Sequence, residues 1–452
     1  MSGMSDNSDY CEDIDSGYLD HFYSKDIIKY ETSVSPFQFN TITPDIPSSL
    51  IIKFIEELLQ ELSDYLLNTD VIDYDFNMND IINNYSFDYD LDPKSVLKFM
   101  TSSSQSIFYS SLIGYFYQYG IGCKINEVKA LEIFSNAIRN NQKAETNQFP
   151  FDQENEPIAF CNDNIKNLNE MLTQYFYCLL LYKDIIILNR ENNYKLYIKN
   201  AEKGDNESQY YIGDCYFYGR KIEHNYNKAI EWFSKSSEGG NIRAMFMLGT
   251  CYYFGSGGVM KDKKKAFEFY LKAAEGGHRI ASHLIGNRYN FGEDILKDKS
   301  KAFEFYLRAA ENGNFFSQYI VGIYYNHGKY IPKDEDKGFY WNRKAAISSK
   351  YTPAQYILAE YYLNNNESKA FRWCLKLADK DYKDNLWASY LVAKCYRDGI
   401  GTEKNSKEAA TWFEKYTSGF YKSHKSHPIT TNDFLNGSVI PDCSGRPKHL
   451  EP

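Results

Sequence analysis

The chain has 452 residues, and 43% hydrophobic with 17% aromatic content is too much buriable surface for a mainly disordered protein. With 27 Gly and 12 Pro, collagen-like and Pro/Gly-rich architectures are excluded. A formal charge of −9 leaves no basic excess for a broad nucleic-acid-binding surface.

The first 20 residues, MSGMSDNSDYCEDIDSGYLD, lack the basic and apolar regions of a secretory signal. No apolar run approaches the roughly 20 residues of a membrane span. The nine Cys are odd in number and form no CxxC pair, which favours reduced thiols in the cytoplasm or nucleus. Residues 1–95 hold 20 acids and 4 bases, whereas the remainder holds 40 acids and 47 bases, so composition shifts near residue 95. Residues 1–46 show no period and read as disordered. Within an acidic segment 47–104, Ile51, Phe54, Ile55, Leu58, Leu59, Leu62, Tyr65 and Leu66 recur every three to four residues, which predicts an amphipathic helix over 48–67.

From residue 105 the chain repeats itself. Lys228, Lys265 and Lys301 begin KAIEWFSKSSEGG, KAFEFYLKAAEGG and KAFEFYLRAAENG. Upstream of each stands a second motif whose glycine recurs at Gly213, Gly249, Gly286 and Gly322, a period of 36 to 37 residues. Such a period predicts stacked helix pairs. Eight copies fit, at 105–141, 166–206, 207–241, 242–278, 279–314, 315–350, 351–382 and 383–417, with the second degenerate, the seventh shortened and an insertion at 142–165. Residues 418–452 read as a flexible tail. A glycine inside a helix is unfavourable by about 1 kcal/mol against Ala, so its recurrence predicts close approach of another helix. Asp262 is placed to cap the second helix of its copy.

This arrangement resembles the Sel-one-like repeat family, relatives of the tetratricopeptide repeats, through A-x-x-x-LG-x-x-Y, the G-x-G turn, the Asp before the second helix and KA-x-x-x-Y-x-x-AA-x-x-G. The resemblance implies an all-α, right-handed α-solenoid that holds other proteins and has no chemistry of its own.

The remaining motifs point the same way. Gly120/Gly122, Gly255/Gly257 and Gly399/Gly401 follow helices and lack the frame of a phosphate-binding loop, so they read as repeat turns. Cys215, Cys251 and Cys395 share a register but have no Cys in the matched second helices, so small apolar packing is expected. His424, His427, Cys443 and His449 have ligand chemistry without the spacing of a known zinc module. No catalytic constellation is evident. The expectation is therefore no enzyme activity, no cofactor, no metal and no small-molecule substrate. The partner is a protein or extended peptide.

Its seat is predicted on a second face of each first helix, three before, one after and four after the motif glycine. These residues are Tyr210, Asp214 and Phe217; Phe246, Thr250 and Tyr253; His283, Asn287 and Asn290; and Tyr319, Ile323 and Asn326. The first position is mostly aromatic and suggests structure as much as binding. The other two vary, as a groove reading one ligand would, with Phe217 and Tyr253 as anchors and Asn287 and Asn290 as polar contacts. The alternative is a regulatory adaptor that recruits a separate machine through the N-terminal helix. IPSSLIIKFIEELLQEL resembles the start of an F-box, which points to a ubiquitin ligase. That helix could equally cap the end of the array.

Overall fold

The computed structural model describes residues 47–68, 78–103, 106–146, 163–192, 194–220, 222–256, 259–292, 295–328, 330–348, 351–378, 386–423, 430–436, 439–441 and 447–449. Segment 1–46 and most of the insertion 142–165 lie outside them. Three helices lead: α1 (Ser48–Asn68), α2 (Met78–Tyr89) and α3 (Pro93–Ser102). Hairpins then follow in chain order. They are α4 (Ser110–Tyr119) with α5 (Glu127–Thr146) and α8 (Asn206–Tyr218) with α9 (Tyr226–Glu238); between them α6 (Asp163–Asn192) packs back on α4 and α5, and α7 (Tyr194–Glu202) packs on α8. Next come α10 (Ile242–Phe254) with α11 (Lys263–Glu275), α12 (Arg279–Phe291) with α13 (Lys299–Glu311), and α14 (Phe315–His327) with α15 (Glu335–Ser348). The last two are α16 (Thr352–Asn365) with α17 (Glu367–Ala378), and α18 (Leu386–Asp398) with α19 (Ser406–Ser423). The chain is thus an α-solenoid. Among the described residues, no helix is long and apolar enough to cross a membrane.

The turn chemistry recurs from hairpin to hairpin. Gly219, Gly255, Gly292 and Gly328 close their first helices in the left-handed region, at φ between 63° and 78°. The residue that caps the second helix then returns its own N–H to a tyrosine carbonyl of the first. Asn225 donates to Tyr216, Asp262 to Tyr252, Asp298 to Tyr289 and Asp334 to Tyr325, at 2.9 to 3.0 Å. Their side chains accept from the backbone N–H three residues on, as Asp262 does from Lys265 at 3.0 Å. Neighbouring hairpins are tied by first-helix glutamines that donate to the end of the preceding second helix, Gln209 to the Ala201 carbonyl and Gln318 to that of Ala310.

The recurring glycine marks the helix crossing, as its sequence position implied. A Cβ at Gly249 would lie 2.7 Å from the Tyr270 ring, and one at Gly286 would lie 2.6 Å from that of Tyr306. Phe134 and Phe233 hold the same post against Gly114 and Gly213. Replacing Gly249 with leucine is therefore expected to destabilise the chain by about 1–3 kcal/mol, since overpacking outweighs the gain in helix propensity. Urea denaturation of the variant against the parent measures it; no shift in midpoint would mean that the crossing is loose.

Helix α1 is folded against the array. Its apolar face, Phe54, Ile55, Leu58, Leu59 and Leu62, is completely buried. It packs against α6 and α2, while α2 packs in turn on α15. Asn79 of α2 accepts from the Tyr115 hydroxyl of α4 at 3.2 Å, and Asn84 donates to the Ile347 carbonyl of α15 at 2.8 Å. The lead helices thus span from α4 and α6 to α15, α16 (Tyr362) and α17 (Trp373). At the centre of the far contact is Asp88, fully buried. It accepts from Arg343 Nε at 2.8 Å, the Tyr362 hydroxyl at 2.9 Å and Trp373 Nε1 at 3.1 Å. Glu57 takes the other branch of the Arg343 guanidinium at 2.9 Å, and Glu61 pairs with Lys344 at 3.3 Å.

The C-terminal region differs from the expected flexible tail. Helix α19 runs on to Ser423, and a short helix α20 (Thr431–Leu435) follows. Its Phe434 is fully buried and stacks on Phe413 with centroids 4.2 Å apart, covering the last hairpin. Phe434 is the buried anchor of this helix, and five residues are too few to show a period. Strands β1 (Val439–Pro441) and β2 (Pro447–His449) then pair antiparallel.

Candidate functional site

The proposed groove positions separate by burial. Phe217, Phe246, Thr250, His283, Asn287 and Asn290 are buried, and Tyr210, Asp214, Tyr253, Tyr319, Ile323 and Asn326 are half-buried. The aromatic register packs inward: Tyr210 lies 5.8 Å from the Phe233 ring, Phe246 5.5 Å from Tyr270 and His283 5.8 Å from Tyr306. These rings pack beside the glycine crossing, against the ring that the second helix brings to it. Phe217 likewise lies against Tyr226 and Phe233.

The position just after the glycine is governed by the ring opposite. The Tyr270 hydroxyl donates to Thr250 at 3.2 Å, and the Tyr306 hydroxyl donates to Asn287 Oδ1 at 2.7 Å. In α9 the ring is Phe233, which has no hydroxyl, and Asp214 instead pairs with Arg220 at 3.1 Å. Its carboxyl is raised by burial, with Arg220 opposing. Variation at this position therefore tracks the chain's own second helices.

Helix α12 carries a buried polar chain. From Tyr306 the hydrogen bonds run through Asn287 to His283 Nε2 at 3.3 Å, and His283 Nδ1 lies 2.9 Å from the Ser317 hydroxyl. With the Asn287 amide donating to Nε2, His283 is neutral and donates from Nδ1. Burial lowers its pKa to about 4. His278, the cap of α12, stacks on Phe246 at 4.3 Å and accepts the Ala281 N–H at Nδ1. Burial first, then Arg279 and Arg243, bring it down to about 3. Asn290 accepts from Lys299 Nζ at 2.5 Å and from the Tyr324 hydroxyl at 3.2 Å.

What is left open to a partner is the half-buried set on α8, α10 and α14. Tyr253 lies under Arg288, 5.3 Å from its centroid, and Tyr210 under Arg243 at 4.9 Å. These are guanidinium-faced rings suited to a carboxylate or a planar side chain. Asn326 stands with Asn342, Phe339, Ile357, Leu358, Tyr361 and Glu335 around a cavity of about 190 Å³. The sequence reading did not single out this cavity, although Asn342 stands out once second helices are aligned on their crossing residue. The candidate metal ligands His424, His427 and Cys443 lie outside the described residues. Cys215, Cys251 and Cys395 are buried free thiols, and burial pushes that of Cys251 up to about 12.

A family model described as Sel1 repeat matches residues 111–142, 206–241, 242–278, 280–314, 316–348, 352–382 and 388–415, just over half of the chain. It passes over the degenerate copy at 166–206, where α6 alone has 30 residues. Comparison with curated proteins gives no match. Among solved structures, the chain is similar to a protective antigen of uropathogenic Escherichia coli described as displaying an SLR fold, with 20% identity, 80% of each chain covered and a TM-score of 0.42. It is also similar to a Sel1 repeat protein of Oxalobacter formigenes, with 22% identity over 68% of this chain and 100% of that one, at a TM-score of 0.34. An immunity protein of Pseudomonas aeruginosa aligns at 20% identity over 50% of this chain and 90% of its own, with a TM-score of 0.26.

Proposed function

The chain belongs to the Sel1 repeat family, whose members are generally non-enzymatic scaffolds for protein–protein interaction, and from that premise we propose that it holds a protein or extended peptide along the first helices of its array. The observation that carries this reading is the half-buried set Tyr210, Asp214, Tyr253, Tyr319, Ile323 and Asn326, drawn from the three groove positions on α8, α10 and α14. A strand-like segment of a partner can run past several such positions at once, reading side chains in turn. The six buried residues at the same three positions contribute by fixing the helices, Phe217 against Phe233 and Asn290 through Lys299 and Tyr324.

Recruitment of a separate machine, a ubiquitin ligase among them, through α1 is the other reading. The apolar face it needs is covered by the chain's own α2 and α6, so it requires release of α1 first. The groove reading needs no such step.

The test is affinity capture with the full chain against an Asp214→Ala, Tyr253→Ala, Ile323→Ala triple variant. These residues are half-buried, so the variant is expected to keep its helical circular dichroism and to lose its partners at least tenfold. Unchanged capture by the folded variant would remove the groove from consideration.

A further inference from the structure

At two junctions between hairpins, the ring three residues before the motif glycine is met by a ring from the start of the next hairpin. His278, the cap of α12, stacks on Phe246 at 4.3 Å, and Tyr351, the cap of α16, meets Tyr319 at 5.3 Å. In α18 the equivalent ring is Tyr390, three residues before Ala393, which stands where the motif glycine would. No helix pair follows α19 among the described residues. The ring that meets Tyr390 is instead Phe434 of α20, with centroids 5.7 Å apart.

This seat holds more than a ring. Phe434 is fully buried and stacks on Phe413 at 4.2 Å, while Tyr416 lies 5.6 Å from Tyr390 and 5.7 Å from Phe413. Arg397, four residues after Ala393, sets its guanidinium 4.7 Å from the Phe434 centroid and donates from Nη1 to the Phe434 carbonyl at 2.9 Å. Asp398 takes the other edge of that guanidinium at 2.7 and 2.8 Å, which fixes the donor in place. Helix α20 brings little else to the contact. Thr430, Asn432 and Asn436 are exposed and Leu435 is half-buried. Five residues are also far below the length of about 12 at which a helix holds unaided, so the seat keeps α20 in shape. A shield over the last hairpin needs only apolar cover, whereas a cation aimed at a main-chain carbonyl holds a segment by its backbone.

We propose that this end of the array is a docking seat for a phenylalanine-bearing segment of a bound protein, and that α20 occupies it as the chain's own competitor; the inference rests on the scaffold reading above. The seat specifies its occupant. An ammonium would lose its water beside the charge of Arg397, and an aliphatic side chain would forfeit the stacking on Phe413. The carbonyl that Arg397 takes is present in every residue, so the sequence is read at the ring. A segment on the same chain competes at an effective concentration of about the millimolar range. The apparent affinity of a partner therefore falls in proportion to the fraction of chains whose seat is vacant.

The probe is a fluorescein-labelled peptide of residues 430–436, TTNDFLN, titrated into the purified full chain and followed by fluorescence anisotropy. The Phe434→Ala chain, with its seat vacated, is expected to bind the peptide at least tenfold more tightly than the parent. Adding Arg397→Gln is expected to weaken that binding at least fivefold, and a peptide carrying Phe434→Ala is expected to bind neither chain. Equal or absent binding by parent and Phe434→Ala chain would overturn the proposal, as would an affinity indifferent to Arg397→Gln or to the peptide's own ring. Loss of helical circular dichroism in the Phe434→Ala chain would overturn it too, by showing that α20 is integral to the last hairpin. Dimerisation of that chain on size exclusion would give the seat to a second copy instead of a partner. The outcome separates from that of the capture experiment, whose variant leaves α18 untouched. A chain that loses its partners in the groove variant and ignores the peptide sinks the seat alone, and one that binds the peptide but captures nothing sinks the scaffold reading.

Discussion

Replacing Asp88 with alanine is expected to destabilise the chain by about 3–5 kcal/mol, the scale seen when one partner of a buried ion pair is removed. Burial alone would raise the Asp88 carboxyl, but the charges of Arg343 and Lys369 and the hydrogen bonds of Arg343 and Tyr362 hold it below the ordinary carboxylate range. Its removal strands three donors: Arg343 Nε, the Tyr362 hydroxyl and Trp373 Nε1. Arg343 keeps Glu57, so the guanidinium is not wholly uncompensated. Thermal denaturation of Asp88→Ala measures the loss. An Asp88→Leu, Arg343→Met double variant is expected to recover about half of it, because the buried charge goes with its partner. A loss below about 1 kcal/mol would mean that water reaches the site and the carboxylate is dispensable.

Acidification from pH 7 to pH 5 is expected to remove about 4 kcal/mol of stability through His278 and His283 together. Both folded pKa values are depressed, to about 3 and about 4, by burial. The unfolded chain therefore binds protons that the folded chain refuses, and stability falls as pH drops below the unfolded value of about 6.5. The decline continues towards the folded values and then levels off. Protonation also contradicts the local bonding. His278 Nδ1 accepts the Ala281 N–H, and His283 Nε2 faces the Asn287 amide donor, so neither atom can carry a proton in place. Asparagine caps the equivalent helices at Asn241 and Asn314, which makes His278→Asn a fitting control. With His283→Gln beside it, the variant should lose most of the pH dependence between 7 and 5, read as urea midpoints at each pH. Parallel profiles for parent and variant would refute the assignment.

The solenoid was legible because its determinants are local and periodic. Gly249 and Tyr270, or Gly286 and Tyr306, stand about 20 residues apart in each copy, and repetition exposes the pair. The groove was less so. Whether Thr250 or Asn287 faces solvent depends on the hydroxyl that Tyr270 or Tyr306 brings across, and variability alone does not distinguish a pairing position from a reading position. The union of the lead helices with α15 and α17 was not legible at all, since Asp88 to Arg343 is a separation of 255 residues without any repeat to advertise it. Phe434 was missed for the converse reason, a single anchor in a stretch too short for a pattern.

That long union sets the order of events on the ribosome. Asp88 is synthesised 255 residues ahead of Arg343, and Asn84 is 292 ahead of Lys376. At about 5–20 residues per second, the lead helices wait on the order of ten seconds to a minute for those partners. The hairpins between can zip one after another as they emerge, each upon the last. During that interval α2 has no α15 to lie on, and its unsatisfied acidic flank is open to whatever cationic surface comes first. The lead helices are thus the segment left waiting, and translation pauses before residue 343 would lengthen the exposure.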